Sequence, residues 1–202
     1  MNEKKAMTFR SVKREIRVLG IDDGSFIPHA KGMVDVVGVV FRGGYWLDGV
    51  MRTKVEADGT DATEKIASMI KSSPHHDQIR VVMLDGVTFA GFNVVDVKEL
   101  SEKVRLPVIA VTREKPDFED IKKALENLPE REKRWKAMEN AGKFVEVHTQ
   151  GTEGSVWMQI AGISEKVAEK ILKSTSTRSN MPEALRVAHI IASGLCSFER
   201  KV

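Results

Sequence analysis

Two aspartates in this 202-residue chain each stand where a run of apolar, largely β-branched residues stops. Asp85 follows Val81, Val82, Met83 and Leu84 and precedes Gly86; Asp22 closes the run from Ile16 and precedes Asp23 and Gly24. A short apolar run bounded by turn residues reads as a strand buried on both faces. In open α/β sheets ligands bind outside the carboxyl ends of such strands. Neighbouring strands lie about 4.8 Å apart, so carboxylates ending two adjacent strands can meet across one cation. Left alone, two close carboxylates repel and one keeps a proton. A divalent ion relieves that repulsion, and carboxylate oxygens suit magnesium or manganese rather than zinc. No clustered Cys/His spacing competes for the role. The competing reading is that Asp85-Gly86 only makes a turn. A two-metal site needs a third acid, and Asp61, Glu64 and Asp23 are the candidates. Asp61 and Glu64 also fit a helix capping box, which gives them a structural alternative.

The elements that must position these acids can be read in order. Ile16–Asp23 is predicted as strand one and Met33–Arg42 as strand two. Gly43-Gly44 is a hairpin signal, and Tyr45–Glu56 alternates as strand three, which makes an antiparallel meander. Asp61–Lys71 is a helix with Ile66, Ala67 and Ile70 on its apolar face. Ile79–Leu84 is strand four, Thr88–Val95 a loop, Asp96–Val104 a short helix and Leu106–Val111 strand five. One crossover helix between strands three and four makes strand four parallel to strand one if the two pair, which brings Asp22 and Asp85 to the same edge. Asp117–Leu125 and Glu130–Ala141 are helices; the charges Glu130, Arg131, Glu132, Lys133 and Arg134 read as a solvated face. Phe144–Thr149 and Val156–Ile160 are further strands around a turn at Gly151–Gly154. A helix follows Ser164. The last helix starts at Pro182, buries Leu185, Ala188 and Ala192, and is expected to end or break at Gly194.

Composition bounds the function classes. The chain is 42% hydrophobic and 30% charged with a net charge of +3, so any footprint for nucleic acid must be local. The length suits one domain over residues 1–202, led by a polar, basic arm at 1–15. One cysteine, Cys196, excludes an intrachain disulfide and reads as a buried, inert thiol. No apolar run is long enough for a bilayer, and the amino terminus lacks the apolar core of a signal peptide. These features predict a cytoplasmic protein with no membrane partner. They leave the oligomeric state open, a homodimer included.

The motifs resemble the ribonuclease H-like fold, and within it endonuclease V. Gly20-Ile21-Asp22 resembles the glycine-hydrophobic-aspartate of that family's first strand, and Val82–Gly86 its second signature. Leu106–Arg113 resembles the strand that usually ends in lysine, and Met181–His189 the helix that turns an aspartate or histidine to the site. Leu19–Phe26 and Arg186–Gly194 are similar to an archaeal family of unknown function grouped with endonuclease V. Three features depart from endonuclease V. Val87-Thr88 replace the His-Gly after the second aspartate, no Pro-Tyr-Ile-Pro wedge precedes the first helix, and the central glutamate has only Asp61 or Glu64 as a counterpart.

The resemblance implies a mixed five-stranded α/β sheet, a three-strand antiparallel meander plus parallel strands, flanked by helices. It also implies a magnesium- or manganese-dependent nuclease acting on DNA or RNA. Asp22 and Asp85, with Asp23, Asp61 or Glu64, would hold the metal. Arg113 would neutralise the scissile phosphate, and His189 would serve as ligand or proton carrier. Without the resemblance, His189 reads as a packed helix residue and Arg113 as an exposed strand-end charge. The alternative function is a non-catalytic nucleic-acid-binding or interaction module that kept the fold.

Overall fold

The computed structural model describes residues 11–26, 31–126, 128–149 and 154–199, with side chains from 196 onward left out. Most of the basic arm, positions 27–30 of the first loop, most of the 151–154 turn and the Cys196 side chain lie outside the described residues.

The expected meander is formed by β1 (Arg17–Asp23), β2 (Met33–Arg42) and β3 (Trp46–Glu56), paired antiparallel. Helix α1 (Ala62–Ser72) crosses over the sheet and returns the chain to β4 (Val81–Asp85), which lies parallel to β1 with Ile21 opposite Leu84. A two-stranded hairpin, β5 (Thr88–Phe89) and β6 (Asn93–Val94), replaces the expected loop. Helix α2 (Val97–Val104) leads to β7 (Val108–Thr112), parallel to β4. Then come α3 (Phe118–Leu125), α4 (Arg131–Asn140), β8 (Val145–Val147), β9 (Val156–Ala161), α5 (Glu165–Thr175) and α6 (Glu183–Glu199).

The main sheet has seven strands in the order β3-β2-β1-β4-β7-β9-β8, two more than the five expected. Its extension has a simple cause. A five-stranded sheet would leave the inner strand β7 with one edge of unpaired backbone, and β9 covers it, burying Val156 and Met158. Side chains alternate across the sheet. Leu19, Ile21, Val82 and Leu84 pack under α1 and α2. Val18, Val37, Met83 and Ile109 pack under α5 and α6. Leu185, Ala188 and Ala192 line the buried side of α6 as expected. That helix runs through Gly194 to Glu199, because a single helical glycine costs only about 1 kcal/mol against alanine.

Two local expectations fail for a shared reason. The Asp61–Glu64 capping box does not form. Asp61 accepts from Asn93 Nδ2 (2.7 Å) and from the Glu56 N–H (3.2 Å), while Asn93 Oδ1 accepts the Ala62 N–H (2.9 Å). The cap is thus supplied from β6, far away in sequence. Arg134 is not part of a solvated face; it is buried, and its guanidinium donates to the carbonyls of Asp58, Gly59, Phe92 and Pro129. Together these contacts fasten the hairpin to the end of β3, so backbone groups that the sheet leaves unpaired are satisfied by side chains.

Helix α6 approaches β1 closely because residue 20 is glycine. A Cβ at Gly20 would lie 2.6 Å from both Ala184 O and Leu185 N, and helix backbone cannot yield locally. Gly20→Ala is therefore expected to cost about 2–3 kcal/mol of unfolding free energy in a denaturant titration, the upper end for overpacking. A cost below about 0.5 kcal/mol would show that the helix seats without this contact.

Candidate active site at the carboxyl edge of the sheet

The pairing of β1 with β4 decides the site. Ile21 is opposite Leu84, so the next residues, Asp22 and Asp85, end adjacent parallel strands in register. Ile21 and Leu84 both face α1 and α2. Alternation therefore turns Asp22 and Asp85 to the other face, under α6. From that helix His189 places Nδ1 2.8 Å from Asp22 Oδ2. Asp22 Oδ1 accepts the Asp23 N–H at 2.9 Å. On the far side of β4, Asp85 pairs with Val111 of β7, and Arg113 follows two residues on, on the same face.

The electrostatics follow from this crowding. Burial pushes the Asp22 carboxyl up to about 7, helped by repulsion from Asp85 and Asp23 and opposed by the hydrogen bond with His189. Asp85 is also raised by burial, with the charges of Arg113 and His189 pulling it back. Burial raises Asp23 as well, against the hydrogen bond that its Oδ2 accepts from the Ala90 N–H at 2.8 Å. Asp22 is almost fully buried, whereas the His189 side chain is 60% exposed, so the imidazole joins the buried acid to solvent.

The structure thus brings together Asp22, Asp85, His189 and Arg113, with Asp23 alongside. It does not bring Asp61 or Glu64 to them. Asp61 is committed to Asn93 and Glu56, and Glu64 is an exposed partner of Lys103 at 2.6 Å. Both belong to the α1 side of the sheet, so the third acid expected from the first helix is absent from this cluster. The contacts missed from sequence alone are the Asn93 cap and the Arg134 clamp. Nothing in the local pattern of either segment signals them, because apart from Pro129, which precedes α4, the partners come from distant segments.

Among the described residues, no group of three or more His, Cys, Asp or Glu side chains is arranged as a ready-made metal site. The pair nonetheless suits a hard divalent cation. Its donors are carboxylate oxygens, and Asp22 is raised by burial and by the charges of neighbouring carboxylates, which a cation would offset. Magnesium commonly takes one or two carboxylates and completes its shell with water and substrate phosphate. Asp22 and Asp85 would hold it, with His189 and Asp23 at the margin.

The raised Asp22 carboxyl gives a signed expectation. A carboxyl at 3.8 in the unfolded chain and about 7 in the fold contributes stability below 3.8 that is lost as pH rises through about 7. Thermal melts in chelator should therefore show the melting temperature falling from pH 5 to pH 8 more steeply than in Asp22→Asn. Millimolar manganese should raise it more at pH 8 than at pH 5, since the ion competes with that proton. An equal manganese effect at both values would contradict the site.

Residues 14–196 match the family model described as Endonuclease dU. A UPF0215 protein of Methanosarcina acetivorans is 52% identical over 184 residues, covering 91% of this chain and 92% of its own length. One from Methanothermobacter thermautotrophicus is 51% identical over 188 residues, 93% and 91% respectively. Among solved structures, a protein of unknown function from Archaeoglobus fulgidus superposes with a TM-score of 0.80 at 38% identity, covering 89% of this chain and 97% of that one. Endonuclease V of Bacillus subtilis superposes at 0.64 with 11% identity over 92% and 83%. Endonuclease V of Ciona intestinalis, solved with a 24mer DNA containing an inosine followed by a ribo-adenosine, superposes at 0.61 with 15% identity over 92% and 87%. The expected endonuclease V-like, ribonuclease H-like fold is borne out. No helix among the described residues is long and apolar enough to cross a membrane.

Proposed function

This chain belongs to the endonuclease dU family, whose fold is that of endonuclease V, and on that premise we propose that it is a divalent-metal-dependent endonuclease hydrolysing phosphodiester bonds in nucleic acid. The observation that carries the reading is the in-register pair Asp22 and Asp85, bridged to solvent by His189.

Each residue has a role that its position supports. Asp22 and Asp85 would hold magnesium or manganese. The bound ion would supply a polarised water and offset charge on the phosphate. Arg113 already lies close enough to act on the charge of Asp85, and it holds a non-bridging phosphate oxygen as a fixed cation. His189, oriented through Nδ1 by Asp22, carries a proton between the reacting groups and bulk water on its exposed side. Asp23 adds negative charge beside the pair, but one of its oxygens is spent on the hairpin backbone. Asp61 and Glu64 take no part, and their duties are structural.

The test is cleavage of labelled single-stranded, duplex and branched DNA and RNA, with deoxyuridine- and inosine-containing strands included. Deoxyuridine is suggested by the family's description, inosine by the DNA bound to the Ciona enzyme. Cutting is expected with magnesium or manganese, none with chelator, and a fall of at least about 100-fold in Asp85→Asn, since losing a mere hydrogen-bond partner of a metal ligand already costs roughly 10–100-fold. Binding without cutting on every substrate would instead favour a module that kept the fold and lost the chemistry.

A further inference from the structure

The acid pair is bracketed by cations along the strand order of the sheet. On one side stands Arg113, after β7. On the other, the register runs Asp22 to Val37 on β2 and Val37 to Arg52 on β3. Paired residues share a face, and Val37 is buried on the α6 side, so Arg52 shares the face of Asp22. One step nearer the sheet edge, Asp35 of β2 pairs with Lys54 of β3. The side chains of Arg52 and Lys54 are 56% and 39% exposed, and Asp35 between them is 4% exposed.

Two cations facing one carboxylate leave a net positive charge. The ion pairs are loose: Arg52 Nε is 3.3 Å from Asp35 Oδ1, and Lys54 Nζ is 3.4 Å from Oδ2. Among the described residues Asp35 Oδ1 accepts no hydrogen bond. A bidentate pair would have locked Arg52 in place; this arrangement holds both heads near the edge and leaves their donors available. Arg52 stands two strands from Asp22, about 10 Å, or about three nucleotides of rise at 3.4 Å each. Any strand crossing the acid pair toward β3 must pass over these two charges.

We propose that Arg52 and Lys54 form a phosphate-binding shelf that seats the nucleic-acid backbone on the β3 side of the acid pair, opposite Arg113. The assignment rests on the nuclease reading of the site, but its test reads binding and not cleavage. It predicts sequence-independent contacts to phosphate, common to DNA and RNA. Asp35 keeps the shelf in place and reduces its charge.

The test is fluorescence anisotropy of the full chain in chelator, from 50 to 200 mM salt, with labelled single-stranded DNA, RNA of the same sequence and duplex DNA. Arg52→Gln/Lys54→Gln should lower the slope of log affinity against log salt by about 1.4 on single strands and about 1.8 on duplex, the share of two phosphate contacts. The triple variant that adds Asp35→Asn leaves no buried charge without a partner, so it guards against unfolding. It should lose the same slope while keeping its melting transition. Lys98→Gln, on an exposed position of α2 across the sheet, should leave the slope unchanged. A folded triple variant with the wild-type slope, an equal loss in Lys98→Gln, or no salt-dependent binding at all would overturn the shelf. Binding that follows these expectations without cleavage of any substrate would remove the nuclease reading and leave the shelf standing. Equal loss on single-stranded DNA and RNA is the phosphate signature; loss on only one of them would overturn a shelf that reads phosphate alone.

Discussion

Two carboxylates that cannot move apart govern this molecule. Asp22 and Asp85 end strands locked together by the β1–β4 ladder, and the residues before them are fully buried on the opposite face. The backbone of neither acid can move away without breaking strand pairing or exposing core. The repulsion must be relieved in place, by a proton, by an imidazole or by a cation. The protein supplies the first two: Asp22 is pushed up to about 7, and His189 is set against it. The third is what a nuclease would use. The same crowding that makes the metal-free pair costly is thus what would select a doubly charged ion.

Strand alternation then divides the acids of this edge between two kinds of work. Asp22 and Asp85 point to the α6 face. Asp23, one residue along, points to the α1 face, where it receives the Ala90 N–H. Asp58 and Asp61 serve that same face: Asp58 Oδ1 accepts the Phe92 N–H at 2.9 Å, and Asp61 holds Asn93. With Arg134 they fasten the hairpin that follows Asp85. These acids therefore differ in role because the hairpin's donors lie on the α1 face and reach Asp23, Asp58 and Asp61 there. Gly20 adds the remaining constraint, since only a residue without a Cβ lets α6 bring His189 down to β1.

What was legible in the sequence follows from which signals are local. Apolar β-branched runs ended by Asp22 and Asp85 specified strands and their ends, and one crossover helix made them parallel. Those local facts, with the endonuclease V resemblance, gave the fold and the central pair. His189 is indicated only by the resemblance, because a single helix histidine four residues after Leu185 reads by itself as packed, whereas in the fold its side chain is 60% exposed. The pattern at Asp61 and Glu64 says nothing of the face on which its helix packs, and in the fold both are engaged away from the pair. Arg134 is hidden in a run of charges, and three of its four carbonyl acceptors come from two distant segments. The two added strands were read as strands, but their place in the sheet depends on an edge of β7 that no local pattern reveals.

The most direct measurement is a crystal of the protein soaked in manganese at pH 8, with anomalous diffraction collected at a wavelength that locates the ion. A peak is expected in contact with carboxylate oxygens of both Asp22 and Asp85, absent from crystals of Asp85→Asn. A map without manganese at that pair, in crystals where its solvent path is open, would contradict a metal centre between them.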